Sequence, residues 1–495
     1  MLENFLTLIL VTGAILVITG GARAAREIHT ISDYFTFGSS NTDAGLRRAF
    51  TVTNSTFTTS FVALFLLASS TGAASLAIPV GFVLGIVFYI FIILPKMMPL
   101  FASNQRYPEL LESATGKKWI RSLCASFMLL NLLIFTFAEL QGLQLFLREF
   151  YPKDSAIRAW LPIALVIIMA WHVAKAGYRA VIGNDKIQFF LILAGGICLI
   201  VSLFIAFRST TTAEIAAATT KTRVSLGEFS TILFVADALS GFLFAQMIYY
   251  DNWQRLAFFV SGRIGKVERT FRAIELERLK QVIQREYLIG ALFLGLIYTI
   301  PIVLAFALLG SNETSPATIS TLADFFKRVW QSEDIYGIPI GPILFIGSVL
   351  FMLAALISTA EVYIVGAVNI FIEDILRVKI DGTDRSTSAL DRTRFSAAVS
   401  CFLLIPFLFI EPNFEKLFTF MFYSANGLVG PVTLLLLGKK VSSVAFVFSL
   451  VFAMGYCLPP LIDQTISWAF PLPGVVVVSV SLLTSFALSF SRKKT

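Results

Sequence analysis

Residues 48–74 read RAFTVTNSTFTTSFVALFLLASSTGAA, and this stretch decides the fold. Its second half is apolar enough for a membrane helix, whereas eight of the ten residues from 51 to 60 carry polar side chains. Polar groups at membrane depth are costly unless they face a helix bundle or a cavity. Ser and Thr hydroxyls can also bond to their own helix backbone, but eight in ten exceeds what packing requires. The stretch therefore predicts a helix that lines a polar site inside a membrane.

Thirteen apolar stretches run through the 495-residue chain, each close to the ~20 residues that cross a bilayer as a helix. They are called spans 1 to 13 and lie at 3–20, 48–74, 78–100, 122–147, 157–173, 184–207, 229–250, 286–310, 340–373, 393–411, 414–437, 441–461 and 467–491. Twelve or fourteen spans are the alternatives. The hydrophobic content of 57% also exceeds that of soluble proteins. The sequence therefore predicts an all-α integral membrane protein surrounded by lipid.

Basic residues predict the orientation of these spans. With the N-terminus outside, 30 of the 39 Lys and Arg residues fall on the inner side and nine on the outer side. Cytoplasmic loops carry the excess of positive charge. We therefore expect a multi-pass protein of the cell (inner or plasma) membrane with its N-terminus outside and its C-terminus in the cytoplasm. The net charge of +8 is explained by these loops and by anionic lipid headgroups, so no nucleic-acid partner is expected.

Span 7 is the second unusual helix, because it contains Asp237, Ser240, Gly241 and Gln246. Spans 2 and 7 are five crossings apart and therefore run in opposite directions. This is the relation between the first helices of two inverted five-helix repeats, in which discontinuous helices form a binding site near the membrane midplane. The function is therefore expected inside the membrane.

Chemistry other than transport has little support in the sequence. All four cysteines lie within predicted spans and lack metal-ligand spacing, so we expect buried free thiols. His29 and His172 have no partner cluster, and neither an H-E-x-x-H motif nor a P-loop occurs. We therefore do not expect an enzyme, and no protein partner is predicted.

Two segments between spans carry local predictions. The largest inner segment, 251–286, contains the helical pattern RAIELERLKQVIQRE at 272–286. This pattern predicts either an amphipathic helix at the cytosolic surface or an extension of span 8. The outer segment 208–228 is rich in Thr and Ala and is expected to be a mobile loop.

Five segments resemble the sodium:solute symporter family. They are ISDYFTFGSS at 31–40, YPELLESATG at 107–116, GYRAVIGNDKIQFFLILAGG at 177–196, DNWQRLAFF at 251–259 and AALISTAEVY at 354–363. The chain departs from the family pattern at Asn184, where Thr is usual, at Glu361, where Asp is common, and at Val362, where Ser is common. The resemblance covers roughly residues 31–440, and the last two spans match only in number.

The resemblance implies a leucine-transporter-like (LeuT-like) fold of about 13 transmembrane helices built on a 5+5 inverted repeat. Residues 1–45 would be an extra N-terminal helix and cytosolic loop, 46–210 the first repeat (spans 2–6), 211–438 the second repeat (spans 7–11), and 439–495 two C-terminal helices. The implied activity is Na⁺-coupled import of a small organic solute by alternating access.

Two alternatives stay open. A proton-coupled symporter of the same fold would use Asp237 or Glu361. A transport-derived membrane sensor is the other, although the chain ends at Arg492-KKT without a signalling domain.

The resemblance also implies an ion site. Ser358 and Thr359 stand where the family has its sodium-binding hydroxyl pair, and the carbonyl of Ala355 lies one turn earlier. Carbonyl oxygens of span 2 would complete the site, since unwound backbone supplies cation ligands in this architecture. These carbonyls are assigned to Ser55 and Thr58 or, in the alternative register, to Thr53 and Thr56. Na⁺ is thus the expected coupling ion.

The substrate is expected between spans 2, 3, 7 and 11. Its candidate contacts are amide and hydroxyl side chains, namely Asn54, Thr59, Ser240, Gln246, Tyr423 and Asn426. No Lys or Arg lies in the predicted cavity, which favours a polar neutral or zwitterionic solute. The segment YSANGLVGP at 423–431 predicts a break in its helix.

Acidic residues within the spans need partners or protonation. The resemblance places Asp185 near the inner ion-release route, where it would couple ion and solute movement. As a residue at a helix start, it is also simply favoured by the macrodipole. Glu139, with Gln141 and Gln144, lies either at membrane depth or near the outer interface.

Overall fold

The structure is a computed structural model that contains helices as its regular secondary structure, with no strand among the residues it describes. It describes residues 2–26, 28–29, 34, 57–103, 105–152, 155–208, 229–265, 267–309, 318–332, 339–377, 387–409, 414–462 and 472–490. Helices suit this sequence because a bilayer offers no water to satisfy backbone N–H and C=O groups, and a helix satisfies them within one segment.

The α-helices are numbered in chain order. They are α1 Leu2–Ala25, α2 Phe57–Thr71, α3 Ala77–Phe88, α4 Leu94–Ala102, α5 Tyr107–Thr115, α6 Lys118–Arg148, α7 Ala156–Arg208, α8 Phe229–Leu243, α9 Ala245–Ile248, α10 Tyr250–Ile264, α11 Arg272–Leu309, α12 Ile319–Trp330, α13 Ile340–Asn369, α14 Thr387–Phe402, α15 Phe414–Ser424, α16 Val429–Leu436, α17 Ser443–Ile462 and α18 Pro473–Phe490. Short 3₁₀ segments lie at Gly72–Leu76, Arg269–Phe271, Pro406–Phe409 and Ala425–Leu428, and π-helical segments at Tyr89–Ile93 and Ile370–Ile375.

Each predicted span contains a helix of the structure. Span 3 comprises α3 and α4, α7 contains spans 5 and 6, span 7 comprises α8 and α9, and span 11 comprises α15 and α16. Among the described residues, seven helical segments are long and apolar enough to cross a membrane, and four shorter apolar helices accompany them. The all-α membrane architecture is therefore confirmed.

The junction of spans 5 and 6 lies at a kink in α7. Gly177 has a φ of 49°, a conformation that favours glycine. A Cβ at this position would also meet the carbonyl oxygen of Tyr34 at 2.5 Å. The hydroxyl of Tyr34 donates to the carbonyl of Val173 at 2.7 Å, one turn before the kink. The residue at position 34 is thereby fixed against the turn between the two spans.

The segment 272–286 extends span 8, which was one of its two predicted interpretations. It belongs to α11, a single helix of 38 residues. Leu279 and Ile283 are fully buried by protein. The side-chain amide of Gln284 donates to the carbonyl of Ile90 at 2.9 Å and joins this extension to span 3. The outer segment predicted to be mobile falls almost entirely at 209–228, outside the described residues.

Helix packing follows a reciprocal pattern. Helix α2 of span 2 packs along α11 of span 8, and α8 of span 7 packs along α3 of span 3. In two equivalent repeats, span 2 corresponds to span 7, and span 3 corresponds to span 8. The contact between spans 2 and 8 is therefore equivalent to the contact between spans 7 and 3. Helix α13 packs against both α6 and α7, and most of its side chains are buried. It therefore lies at the centre of the bundle.

Ion pairs hold the π-helical segment Ile370–Ile375 that follows α13. Nη1 of Arg106 lies 3.0 Å from Oε2 of Glu373 and 3.2 Å from Oδ1 of Asp374. Nε of Arg121 donates to the same Asp374 oxygen at 2.9 Å. Burial acts to lower the pKa of Arg106, but Glu373 and Asp374 raise it above its ordinary value. The guanidinium therefore stays charged and joins the loop before α5 to the π-helical segment that follows α13.

Candidate ion and substrate site

The predicted ion ligands of span 9 lie on adjacent turns of α13. Ala355, Ser358 and Thr359 are fully buried, and Oγ of Ser358 donates to the carbonyl oxygen of Ala355 at 2.9 Å. Both oxygens keep lone pairs that a cation can use. A Ser packed inside a helix makes the same bond, so the ion itself stays a prediction. The geometric result is a buried group of oxygens on adjacent turns of an unbroken helix.

The span 2 members of the predicted sites are only partly covered by the structure. Asn54 and Ser55 lie outside the described residues, as does the alternative pair Thr53 and Thr56. Thr58 and Thr59 belong to the first turn of α2, whose side chains are not described there. The helix itself packs against α13. Span 2 therefore borders the helix of the predicted ion ligands, as the ion-site assignment requires.

A buried polar pair lies next to these ligands. Nε2 of His172 on α7 is 3.2 Å from Oε1 of Glu361 on α13, and both side chains have no exposed surface. The sequence placed His172 without a partner cluster, so this pairing was not anticipated. Glu361 lies two residues beyond Thr359, and the pair therefore connects the span 5 half of α7 with the turn that carries the predicted ion ligands.

Asp185 belongs to α7 beyond the kink at Gly177, and its side chain is not described. Gln188, one turn further along, is buried. The coupling role of Asp185 stays a prediction.

Span 7 is discontinuous. Helix α8 ends at Leu243, α9 is a single turn, and Tyr249 is extended, with φ of −73° and ψ of 121°. The amide of Asn252 donates to the carbonyl of Gln246 at 2.9 Å, and the hydroxyl of Tyr287 donates to Oδ1 of Asn252 at 2.8 Å. These bonds hold the interruption in place. Gln246 itself is buried at this interruption.

Span 11 changes helix type where a break was predicted. The 3₁₀ segment Ala425–Leu428 separates α15 from α16 and contains the buried Asn426. Nδ2 of Asn426 donates to the carbonyl of Gly241 on α8 at 3.3 Å. A Cβ on Gly241 would overlap the ring of Tyr423, so glycine permits this close approach. The structure thus brings together the predicted substrate residues of spans 7 and 11, with Ser240 partly buried beside Gly241.

Tyr423 has a partner that the sequence did not predict. Its hydroxyl is hydrogen-bonded to the carboxylate of Asp237. The ring remains a candidate substrate contact, whereas the hydroxyl is hydrogen-bonded to Asp237 and is not assigned to the solute.

Aromatic rings close the space between spans 4, 7, 9 and 11. The ring centroid of Phe135 lies 5.7 Å from that of Tyr249, 5.2 Å from Tyr363 and 5.4 Å from Phe422. The cavity beside them, which Asn131 also lines, measures about 20 Å³. This is room for roughly one water molecule.

Three polar residues of span 4 belong inside the protein. Glu139, Gln141 and Gln144 on α6 are fully buried by protein, and their depth in the membrane stays a prediction. Helix α6 packs against both α2 and α13. Their polarity within a predicted span was the sequence signal that could have placed them among the site candidates.

Comparison with known proteins gives a structural match. No family profile matches the chain, and no curated protein matches it in sequence. A solved structure, the substrate-bound outward-open state of a Na⁺-coupled sialic acid symporter, matches with a TM-score of 0.66. The match covers 99% of this chain and 98% of that one, at 15% sequence identity. This chain has the same fold as that protein. At this identity the likeness shows the fold alone, over the whole length of both chains.

Proposed function

We propose that the chain is a Na⁺-coupled secondary active symporter of the sodium:solute symporter family, which imports a small polar or zwitterionic organic solute by alternating access. One observation carries the proposal. The oxygens of Ala355, Ser358 and Thr359 are grouped and buried on the central helix of a fold shared with a Na⁺-coupled symporter.

In this proposal the cation binds between α13 and span 2. The ligands are the Ser358 and Thr359 hydroxyls, the Ala355 carbonyl, and two carbonyls of span 2. These carbonyls are those of Ser55 and Thr58 or, in the alternative register, of Thr53 and Thr56. Packing of α2 against α13 supports this arrangement. Asp185 would act on the inner release route.

The solute binds where spans 7 and 11 meet. Among the described residues, Oδ1 of Asn426 and Oγ of Ser424 are buried and have no hydrogen-bond partner. A buried acceptor without a partner costs roughly 1–3 kcal/mol, which an N–H or O–H group of a solute would recover. We therefore expect a solute with hydroxyl, amide or ammonium donors. Asn54, Thr59, Ser240, Gln246 and the Tyr423 ring complete the proposed contacts.

The proposed repeats are 46–210 and 211–438, followed by two C-terminal helices, and the reciprocal packing of spans 2, 3, 7 and 8 supports them. The proposed orientation places the N-terminus outside. A cysteine introduced at Ser261 should react with an impermeant thiol reagent only from the cytosol, and one at Thr210 only from outside. Labelling of intact cells at position 261 would reverse the orientation.

The function is tested with purified protein and a panel of metabolites. A ligand that binds the folded state raises the unfolding temperature. We expect one class of solute to do so in NaCl and not in choline chloride, and the same solute to enter proteoliposomes down a Na⁺ gradient.

Other outcomes identify the alternatives. Uptake driven by a proton gradient without Na⁺ would indicate the proton-coupled symporter, for which the buried His172–Glu361 pair is the structural argument. Na⁺-dependent binding without uptake would indicate a sensor.

A further inference from the structure

The last helix of the chain begins directly against span 7. The backbone N–H of Val475 in the first turn of α18 donates to Oδ1 of Asp237 on α8 at 3.0 Å, and the N–H of Gly474 donates to the same carboxylate. A Cβ on Gly474 would overlap the carbonyl oxygen of Asp237. Glycine therefore allows the two helices to approach this closely.

Asp237 is well matched to this position. The first N–H groups of a helix have no partner within the helix, and the helix dipole favours a negative charge beside them. A carboxylate inside a membrane is costly unless it is paired. Asp237 is buried and accepts hydrogen bonds from Gly474, Val475 and the Tyr423 hydroxyl. Its oxygens are thereby occupied by donors from α18 and α15.

A second attachment joins α18 to the 3₁₀ segment of span 11. Oγ of Ser481 accepts a hydrogen bond from the N–H of Gly430 at 2.9 Å and donates to the carbonyl of Gly427 at 2.7 Å. A Cβ on Gly430 would overlap the backbone of Ser481. Asn426 directly precedes Gly427, and its side-chain amide donates to the carbonyl of Gly241 on α8. Helix α8, helix α18 and the 3₁₀ segment thus form a closed ring of contacts.

From this ring we infer that Asp237 is a positioning residue, which caps α18 and sets the outer half of span 7 against Asn426. Helix α18 lies outside the proposed repeats, yet it packs against α8 and against the 3₁₀ segment that contains Asn426. Asp237 is then neither a proton carrier nor a ligand of the solute. The cap on α18 does not depend on the proposed function, whereas the effect on solute affinity rests on it.

The first test is independent of transport. Hydrogen–deuterium exchange is measured at the amides of Gly474 and Val475 in Asp237→Ala and Asp237→Asn. Loss of the cap should speed exchange by about ten-fold in the Ala variant. Asn keeps a side-chain carbonyl that accepts the same bonds, so its exchange should stay close to that of the parent protein. Unchanged exchange in Asp237→Ala would refute the cap.

The second test uses Na⁺-driven uptake of the solute. Asp237→Ala should raise the KM for solute about ten-fold while Vmax changes less, and Asp237→Asn should restore most of the affinity. Ser481→Ala removes the second attachment and should raise KM in the same direction. Ser485→Ala is the matched control, since its hydroxyl is buried on the same helix and has no partner among the described residues.

The outcomes separate the two proposals. If Asp237→Asn is as impaired as Asp237→Ala, the negative charge itself is required and the positioning role is wrong. If exchange behaves as expected but no solute shows Na⁺-driven uptake, the cap stands and the proposed function fails. Should Asp237→Ala not fold, the Asn and Ser481→Ala variants still decide the question, because a rise in KM with Ser481→Ala alone is expected and its absence contradicts the ring.

Discussion

The two halves of the proposed site differ in how their helices are built. On the ion side, α13 runs unbroken for 30 residues, and Ala355, Ser358 and Thr359 lie on adjacent turns of it. On the substrate side, span 7 is interrupted at 244 and 249, and span 11 changes to a 3₁₀ segment at Ala425–Leu428. A continuous helix keeps its oxygens at fixed spacing, which suits a small cation. An interrupted helix frees backbone groups for a larger and more varied ligand.

This difference shows that interrupted helices need contacts from other parts of the chain to hold them in place. The span 7 break is held by Asn252 and Tyr287, and helix α8, which precedes the break, is held by α18. The turn of α13 needs no such attachment, since its backbone bonds are internal. Substitutions should therefore separate into those that change ion dependence and those that change solute affinity.

The largest effect is expected from Ser358→Ala combined with Thr359→Ala. Two oxygens are lost from a site of about five ligands, and the cation has already lost most of its water. The Na⁺ concentration for half-maximal uptake should rise several-fold or more, while solute binding in saturating Na⁺ is largely kept. Ala suits a helix, so folding should survive.

The matched control for the double variant is Ser348→Ala. Ser348 is buried on the same helix and donates to the carbonyl of Leu344 at 2.8 Å. Its loss should leave the Na⁺ dependence unchanged. An unchanged Na⁺ dependence in the double variant would show that Ser358 and Thr359 are packing residues. The assignment of the ion site to α13 would then be wrong.

A smaller effect is expected from Asn426→Ala on the substrate side. The change removes the bond to Gly241 and the acceptor offered to the solute, so the KM for solute should rise about five- to ten-fold, the equivalent of roughly 1 kcal/mol. Linkage transmits only part of this change to Na⁺ affinity. Uptake measured across a matrix of Na⁺ and solute concentrations separates the change in KM for solute from the change in Na⁺ affinity.

Ser449→Ala provides the control for Asn426. Ser449 is buried on α17, and its hydroxyl lies 3.1 Å from that of Thr484 and is not one of the proposed solute contacts. Its replacement should leave KM unchanged. If Asn426→Ala shifted the Na⁺ dependence more than KM, the division between the two halves would be wrong.

The smallest effect on transport is expected from the His172–Glu361 pair. His172→Gln or Glu361→Gln alone leaves a buried partner poorly satisfied and should lower the free energy of unfolding by about 1–3 kcal/mol. The double variant should lose less than the sum, because residues in contact couple. Unfolding midpoints of the four proteins measure this cycle. Strict additivity would mean that the 3.2 Å contact contributes nothing to stability.

Some features followed from the sequence by itself because they depend only on the order of residues along the chain. The spans come from continuous apolar runs, the predicted orientation comes from counting Lys and Arg, and the helices of the predicted spans are confirmed by the structure. The grouping of Ala355, Ser358 and Thr359 also follows from sequence, since residues three or four apart share a helix face.

Only the tertiary structure decided the contacts between distant segments. His172 with Glu361, and Asp237 with Gly474 and Val475, join helices that are far apart in the chain. Hydropathy records how polar each residue is and carries no information about which helix will lie beside it. Glu139 likewise received its buried position from the packing of α6 against α2 and α13. A polar group inside a membrane must find a partner, and the identity of that partner is set by how the helices pack.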